Sequence, residues 1–260
     1  MPRNRIKEAL ETRRSALGTW VQMASPEICE LAAGAGFDFV IIDMEHGSFG
    51  LESAVDMIRA VELKGATPVV RLPDGSISGI KKVLDAGAVG VIVPGIRTGE
   101  EARQIAAAVR YEPKGTRGAC PYVRATGHGL TDWKQYSDWS DRESMAWALI
   151  ENADAVRNIE DIAAAGVDGL MLGPFDLSMS MGHQGDIEHP AVTDALNRVV
   201  QIASEKGLDF IVVLFGLELH EIKKSADAWR RRGCRIITTL CDRAYLADGY
   251  RKAVEGLVDR

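Results

Sequence analysis

Residues 144–173, SMAWALIENADAVRNIEDIAAAGVDGLMLG, decide the fold. An apolar run (144–150) is followed by an amphipathic segment and then by a second apolar run (169–172). Runs of this length suit strands that are buried on both faces. A glycine just before the second run is typical of a helix C-terminus. Strand, helix and strand in succession predict two parallel neighbouring strands.

The same alternation recurs along the whole chain and gives eight candidate strands. They are residues 18–22, 37–43, 67–71, 90–93, 144–150, 169–172, 210–214 and 235–239. Each is followed by a helical pattern. An open doubly wound sheet should show a glycine-rich nucleotide fingerprint after its first strand, and this sequence has none there. The 260 residues match the size of about 250 typical of one barrel. We therefore predict an α/β fold, one TIM (β/α)8 barrel domain over residues 1–260.

Residues 112–143 break this rhythm, because they mix Gly, Pro, Tyr and Trp with scattered charges and show no clear period. A structureless connection of this length is usually functional. We predict a long loop with short helical pieces that overhangs the top of the barrel.

Composition excludes several classes of function. Apolar residues make up 46% and charged residues 26% of the chain, and the formal net charge is −6. Without a basic stripe we expect no nucleic-acid partner. No run approaches the roughly 18 apolar residues of a membrane span, so we expect no membrane partner either. The four cysteines form no CxxC pair, which fits the reducing cytoplasm.

Ionisable side chains follow the ends of several predicted strands, where barrel enzymes hold their active sites. Glu151 and Asp176 follow neighbouring strands, and two carboxylates facing one bowl repel unless a cation joins them. Two carboxylates plus water suit Mg²⁺ or Mn²⁺. In the alternative interpretation, Asn152, Asp154 and Asp176 simply cap the next helices.

Two further side chains could serve chemistry or structure. Arg71 ends an otherwise apolar strand, so its guanidinium needs an anion, which is either a protein carboxylate or a substrate oxyanion. His46 follows Asp43 by three residues, and a carboxylate on one ring nitrogen would leave the other as a base. A histidine at this position can also be structural. No lysine lies at a strand end, which disfavours a Schiff base and favours a metal.

The chain resembles the HpcH/HpaI aldolases, the family of the 4-hydroxy-2-oxoheptanedioate aldolases. Three segments carry the resemblance: GTWVQMASPEICELAAGAGFDFVIIDMEHG (18–47), RYEPKGTRG (110–118) and LIENADAVRNIEDIAAAGVDGLMLGPFDLSMSMG (149–182). The last segment and the D-x-E-H element (43–46) are specific together. The resemblance implies a metal-dependent class II aldolase that forms or cleaves 4-hydroxy-2-oxo acids from a 2-oxo acid such as pyruvate and an aldehyde.

The resemblance also implies a role for each matching position. Glu151 and Asp176 correspond to ligands of Mg²⁺, Mn²⁺ or Co²⁺, and Arg71 to the arginine on the oxygen of the oxo acid. His46, paired with Asp43, corresponds to an acid–base dyad acting through a metal-bound water. The remaining substrate-binding positions are Gly173, Pro174, Phe175, Asp176 and, at the rim, Trp20. Glu45 belongs to the motif without an assigned role.

The resemblance also implies that the chain forms a homo-oligomer. The implied oligomer is a hexamer in which the C-terminal helix packs on a neighbouring subunit. Tyr245, Leu246, Tyr250, Val254 and Leu257 recur at helical spacing and form an apolar face. Packing of this face on the chain's own barrel is the alternative.

The sequence departs from the family pattern at residues 119–124 and at Leu149, and both changes are expected near the acceptor aldehyde. The rival functions are a CoA-ester lyase of malyl-CoA type, an oxo-acid decarboxylase and a non-catalytic barrel that binds oxo acids.

Overall fold

Eight parallel strands close into a barrel in the computed structural model, which describes residues 1, 3–13 and 15–258. The strands neighbour one another in chain order, and β1 pairs with β8 to close the ring. Their bounds are β1 Ala16–Val21, β2 Phe39–Asp43, β3 Thr67–Arg71, β4 Gly90–Val93, β5 Met145–Ile150, β6 Gly169–Leu172, β7 Asp209–Val213 and β8 Ile236–Cys241. The predicted (β/α)8 architecture is confirmed, and each predicted strand overlaps an observed one.

One helix precedes β1, and the others follow the strands and cover the outside of the barrel. They are α1 Arg5–Thr12, α2 Pro26–Gly34, α3 Leu51–Leu63, α4 Ile77–Asp85, α5 Gly99–Ala108, α6 Trp133–Glu143, α7 Ala153–Arg157, α8 Ile159–Ala163, α9 Pro174–Ser180, α10 Pro190–Glu205, α11 Leu219–Arg231 and α12 Asp242–Leu257. The helical pattern after β5 is divided in two at Asn158, whose side-chain amide donates to the carbonyl of Arg97.

Two apolar layers hold the barrel together. Inside the ring, alternate strand residues such as Ile41, Val69, Leu149 and Met171 pack against each other, and α1 closes the amino-terminal end with Ile6. The other strand residues face the surrounding helices in a second, larger layer. Because side chains alternate along a strand, the residue two positions after an inward-facing side chain also faces inward.

The segment from 109 to 144 lies at the amino-terminal end of the barrel, so its predicted position over the top was wrong. Arg117 donates to Asp85, the last residue of α4, and Arg124 donates to the carbonyl of Ala86. The carbonyl of Glu143 accepts from Asn4. The segment joins the end of α5 to the start of β5, and both lie at that end of the ring. Residues 119–124 are therefore remote from the carboxyl ends of this chain's strands, contrary to the expectation that they lie near the acceptor aldehyde of the same chain.

Helix α12 continues from β8 and leaves most of its apolar face exposed. Asp242 is its only buried residue within the described part of the chain. Tyr250, Val254 and Leu257 are 70%, 53% and 87% exposed, so the alternative of packing on its own barrel does not hold for them. No helix in the described ranges is long and apolar enough to cross a membrane.

Candidate active site

A cavity of about 200 Å³ opens at the carboxyl ends of the strands. Its wall combines a few polar groups with an apolar surface, as small-molecule sites usually do. The polar or ionisable residues lining it are Gln22, His46, Arg71, Asp176 and Cys241, and the others include Trp20, Leu149, Gly173, Pro174 and Phe175. A second cavity, of about 380 Å³, is lined by Glu45 and Glu151 among others. Neither described lining includes a lysine.

Strand alternation explains why charged side chains point into the bowl. Asp43, Arg71 and Glu151 come two residues after the inward-facing Ile41, Val69 and Leu149. On these three strands, the last inward-facing position at the carboxyl end therefore carries an ionisable side chain.

Arg71 is held as a rigid fork by Asp43, its partner across the β2–β3 register. Its Nε and Nη2 atoms donate to the two carboxylate oxygens at 2.8 and 2.5 Å. Its Nη1 atom lies 3.1 Å from Glu45 Oε2. Burial alone would raise the pKa of Asp43, but the hydrogen bonds and charge of Arg71 hold that pKa below its ordinary value. A bidentate pair of this kind fixes a guanidinium plane.

The predicted pairing of His46 with Asp43 through their side chains was wrong. Asp43 already accepts from Arg71 and from Gln22 Nε2, and its Oδ1 accepts the backbone N–H groups of Glu45 and His46. Its oxygens are therefore occupied, and it holds His46 by the main chain. The His46 side chain is exposed and lines the cavity.

The sequence suggested that Trp20 lies at the rim of the site, but in the structure it forms part of the cavity wall. It is only 6% exposed, and its indole N–H donates to Thr238 at 3.0 Å. The guanidinium of Arg71 lies over its ring, 4.6 Å from the centroid. The ring therefore supports one face of the Arg71 guanidinium in cation–π geometry.

Three carboxylates gather around the other side of Arg71. Burial raises the pKa of Glu151 to about 7. The N–H of Gly95 donates to Glu151 at 2.6 Å and lowers this pKa, whereas the charges of Glu45 and Asp176 raise it further. Burial likewise raises the pKa of Glu45, although Arg71 opposes it. The buried Oε2 atom of Glu45 forms the ion pair with Arg71 but accepts no hydrogen bond from the described residues. The region therefore concentrates negative charge that its own cation does not balance.

The capping alternative is confirmed for Asn152 and is wrong for Asp176. Asn152 caps α7 by accepting from Ala155, and Gly173 occupies the cap position of α9. Glu151 precedes one cap and Asp176 follows the other. Both carboxylates are thus left free of helix capping at the ends of β5 and β6.

Gly173 directly follows β6 and lies against Glu151. A Cβ atom at this position would lie 2.7 Å from Glu151 Cβ, too close for any side chain. Its own N–H donates to the carbonyl of Ile150 and is not available to a ligand. The first-turn N–H groups of Phe175 and Asp176, which have no helical acceptor, remain for an anion.

Gln22 was not among the predicted site residues. It lines the cavity and donates to Asp43 at 2.8 Å. The available signal was its position directly after the last apolar residue of β1, the same place that Arg71 and Glu151 occupy on their strands.

The donor set fits a divalent cation that shares its coordination with a ligand. Within the described residues, no group of three or more His, Cys, Asp or Glu side chains is arranged to hold a metal. Glu151 and Asp176 supply two hard oxygen donors, the kind that Mg²⁺ and Mn²⁺ accept together with waters or substrate oxygens. Burial is the main cause of the raised pKa of Glu151, and a cation between the two carboxylates would stabilise their charged forms against it.

Comparison with known proteins identifies relatives along most of the chain. The family model described as HpcH/HpaI aldolase/citrate lyase matches residues 16–238. A hydroxypyruvate/pyruvate aldolase of Cupriavidus necator is 35% identical over 97% of this chain and 92% of its own length. A 2-dehydro-3,6-dideoxy-6-sulfogluconate aldolase of Pseudomonas putida is 37% identical over 76% of this chain and 79% of its own.

A solved structure has the same barrel. It is an HpcH/HpaI aldolase/citrate lyase family protein from Burkholderia cenocepacia, 31% identical, with a TM-score of 0.89 over 98% of this chain and 99% of that one.

Proposed function

The chain belongs to the HpcH/HpaI aldolase/citrate lyase family and is a carbon–carbon lyase of the aldolase type, and we propose that it cleaves or forms 4-hydroxy-2-oxo acids with a divalent metal. The products of cleavage are pyruvate, or a related 2-oxo acid, and an aldehyde. The names of the relatives support this substrate class, because they include hydroxypyruvate/pyruvate and deoxy-sugar-acid aldolases. The observation that carries the proposal is the convergence of Glu151, Asp176 and Arg71 on one bowl without a lysine.

Glu151 and Asp176 are the proposed holders of Mg²⁺, Mn²⁺ or Co²⁺. When bound there, the cation supplies Lewis-acid stabilisation of the charge that develops on the 2-oxo group. The charge of Glu45 adds to the raised pKa of Glu151. We assign Glu45 the task of holding Arg71 from its Nη1 side.

Arg71 is proposed to bind the oxygen of the 2-oxo group and to stabilise the enolate. Its pairing with Asp43 and its position over Trp20 fix the guanidinium before substrate arrives. A donor that needs no reorganisation contributes most to a transition state in which charge appears. Asp43 acts through Arg71 rather than on the substrate.

The substrate carboxylate is proposed to lie at the start of α9. Gly173 and Pro174 leave this corner without bulk, while the N–H groups of Phe175 and Asp176 face it. His46 takes the proton of the C4 hydroxyl as the C3–C4 bond breaks. The bond's electron pair passes to the enolate, the aldehyde leaves, and C3 is then protonated.

A CoA-ester lyase is less consistent with this bowl. CoA carries phosphates, and Arg71 is the one Lys or Arg side chain among the residues that line the two described cavities. Decarboxylation of oxaloacetate passes through the same enolate, so it serves as a probe of the site.

Assembly and location complete the proposal. We propose a homo-oligomer, a hexamer, in which a second copy covers the exposed face of α12 formed by Tyr250, Val254 and Leu257. The four cysteines are free, which agrees with the cytoplasm as the proposed compartment.

A panel of 4-hydroxy-2-oxo acids tests the proposal, with pyruvate release as the readout and Mg²⁺, Mn²⁺ or Co²⁺ added. Glu151→Gln and Asp176→Asn keep the shape of each side chain and remove its charge. Each should lower turnover by more than the roughly 10–100-fold that loss of an outer partner of a metal ligand costs. If wild type cleaves the panel and both variants match it, the metal assignment is wrong. If wild type cleaves none, the substrate class is wrong.

A further inference from the structure

Helix α12 begins against the two loops that carry Gln22 and His46. Asp242, its first residue, is 8% exposed and lies at the end of β8. Its carboxylate oxygens accept the backbone N–H groups of Gln22 and Met23, each at 3.0 Å. The loop after β1 is therefore tied to the start of the helix.

Arg243 extends the same junction to the loop after β2. Its Nη1 atom donates to the carbonyl of His46 at 3.2 Å, and its Nη2 atom donates to the carbonyl of Gln22 at 3.1 Å. One planar guanidinium thus spans two neighbouring loops. Arg243 is not among the residues that line the cavity.

We propose that Arg243 is a positioning residue that sets the place of His46 in the aldol reaction. This inference rests on the proposed function, because it assigns His46 the proton transfer. The backbone of His46 is held from two sides: Asp43 accepts from its N–H, and Arg243 donates to its carbonyl. Its imidazole lines an open cavity and is exposed, so its position depends on the main chain beneath it.

The turn at His46 and the fork of Arg243 together determine how firmly His46 is held. The turn continues into Gly47, whose N–H donates to the carbonyl of Asp43 at 3.0 Å, so the backbone on both sides of His46 is held through Asp43, and the carbonyl of His46 itself is held by Arg243. A lysine at 243 has one ammonium on a flexible stem and no planar fork. It should therefore hold one carbonyl at a time and restore the position only in part.

Kinetics of Arg243→Ala separate a positioning role from a general structural one. Aldol cleavage should fall about 10- to 100-fold, the scale on which small misplacements near reacting groups act. Oxaloacetate decarboxylation, which needs no hydroxyl deprotonation, should stay within about threefold of wild type. Arg243→Lys should recover part of the cleavage rate. Arg251→Ala is the matched control, because Arg251 lies on the same helix and its ion pair among the described residues is with Asp248.

The double variant Arg243→Ala with His46→Ala tests whether the effect passes through His46. It should cleave no more than about twofold slower than His46→Ala alone. Losses that multiply, or equal losses of cleavage and decarboxylation in Arg243→Ala, overturn the inference.

Amide hydrogen exchange gives a readout that does not depend on turnover. Peptides covering residues 44–48 should exchange faster in Arg243→Ala and remain unchanged in Arg251→Ala. Unchanged exchange in both variants overturns the inference even if the proposed reaction is correct. A wild-type protein without cleavage activity contradicts the proposed function, while the exchange result still decides whether Arg243 holds the loop.

Discussion

Replacement of Gly173 by alanine should damage the proposed metal site without damaging the barrel. The new methyl carbon would stand 2.7 Å from Glu151 Cβ and 3.2 Å from Leu149 Cδ1. To reach an ordinary contact of 3.4 Å, Glu151 or the end of β6 must move by about 0.7 Å. Metal–ligand distances tolerate only about 0.2 Å. We therefore expect metal affinity to fall at least roughly 10-fold, within the 10- to 100-fold range for disturbed ligand orientation.

Calorimetric titration with Mg²⁺ and Mn²⁺ measures this loss, and a thermal melt followed by circular dichroism measures the fold. Gly34→Ala is the control, because a Cβ atom at Gly34 meets nothing within 4 Å. It should leave both quantities as in wild type. Unchanged metal affinity in a folded Gly173→Ala protein would refute the reasoning, because it would mean that Glu151 holds no metal or that the contact is not as tight as described.

Four further predictions concern the candidate site and helix α12. Arg71→Lys should cost about 2–4 kcal/mol of transition-state stabilisation in aldol cleavage and in pyruvate C3 proton exchange alike. His46→Ala should slow cleavage by roughly 10²–10⁴-fold and oxaloacetate decarboxylation much less; equal losses would mean that His46 only organises the site. The double change Tyr250→Asp and Val254→Asp should reduce the oligomer mass measured by light scattering, and an unchanged mass would exclude this face from assembly. Because the pKa of Glu151 is raised from 4.5 to about 7, the metal-free fold binds an extra proton between these values and loses stability as pH rises through them. Metal affinity should accordingly increase with pH up to about 7 and then level off, and titration calorimetry across pH 5–8 that shows a flat affinity would contradict this.

Sequence patterns were sufficient for the barrel, because buried parallel strands and glycine-ended helices carry strong local signals. The order of the strands and the positions of Arg71, Glu151 and Asp176 at their ends follow from those signals alone. The position of residues 112–143 did not, because composition marks an irregular segment but not the end of the barrel at which it lies. Chain order after α5 would have placed it correctly.

The residues that form the site were easier to predict than the contacts between them. The sequence put Asp43 near His46 but could not show that Arg71 and Gln22 occupy its oxygens. Hydrogen bonds between strand ends depend on register across the barrel, which spacing along one strand does not encode. Arg243 could not be found in this way either, since it lies 197 positions from His46.

Retro-aldol turnover with and without a chelator tests the central claim most directly. Pyruvate release from an accepted 4-hydroxy-2-oxo acid should disappear when a chelator removes divalent ions, and Mg²⁺, Mn²⁺ or Co²⁺ should restore it, because Glu151 and Asp176 would then regain their shared cation. Full activity in excess chelator, together with inactivation by borohydride only when pyruvate is present, would contradict the account and indicate a Schiff base instead.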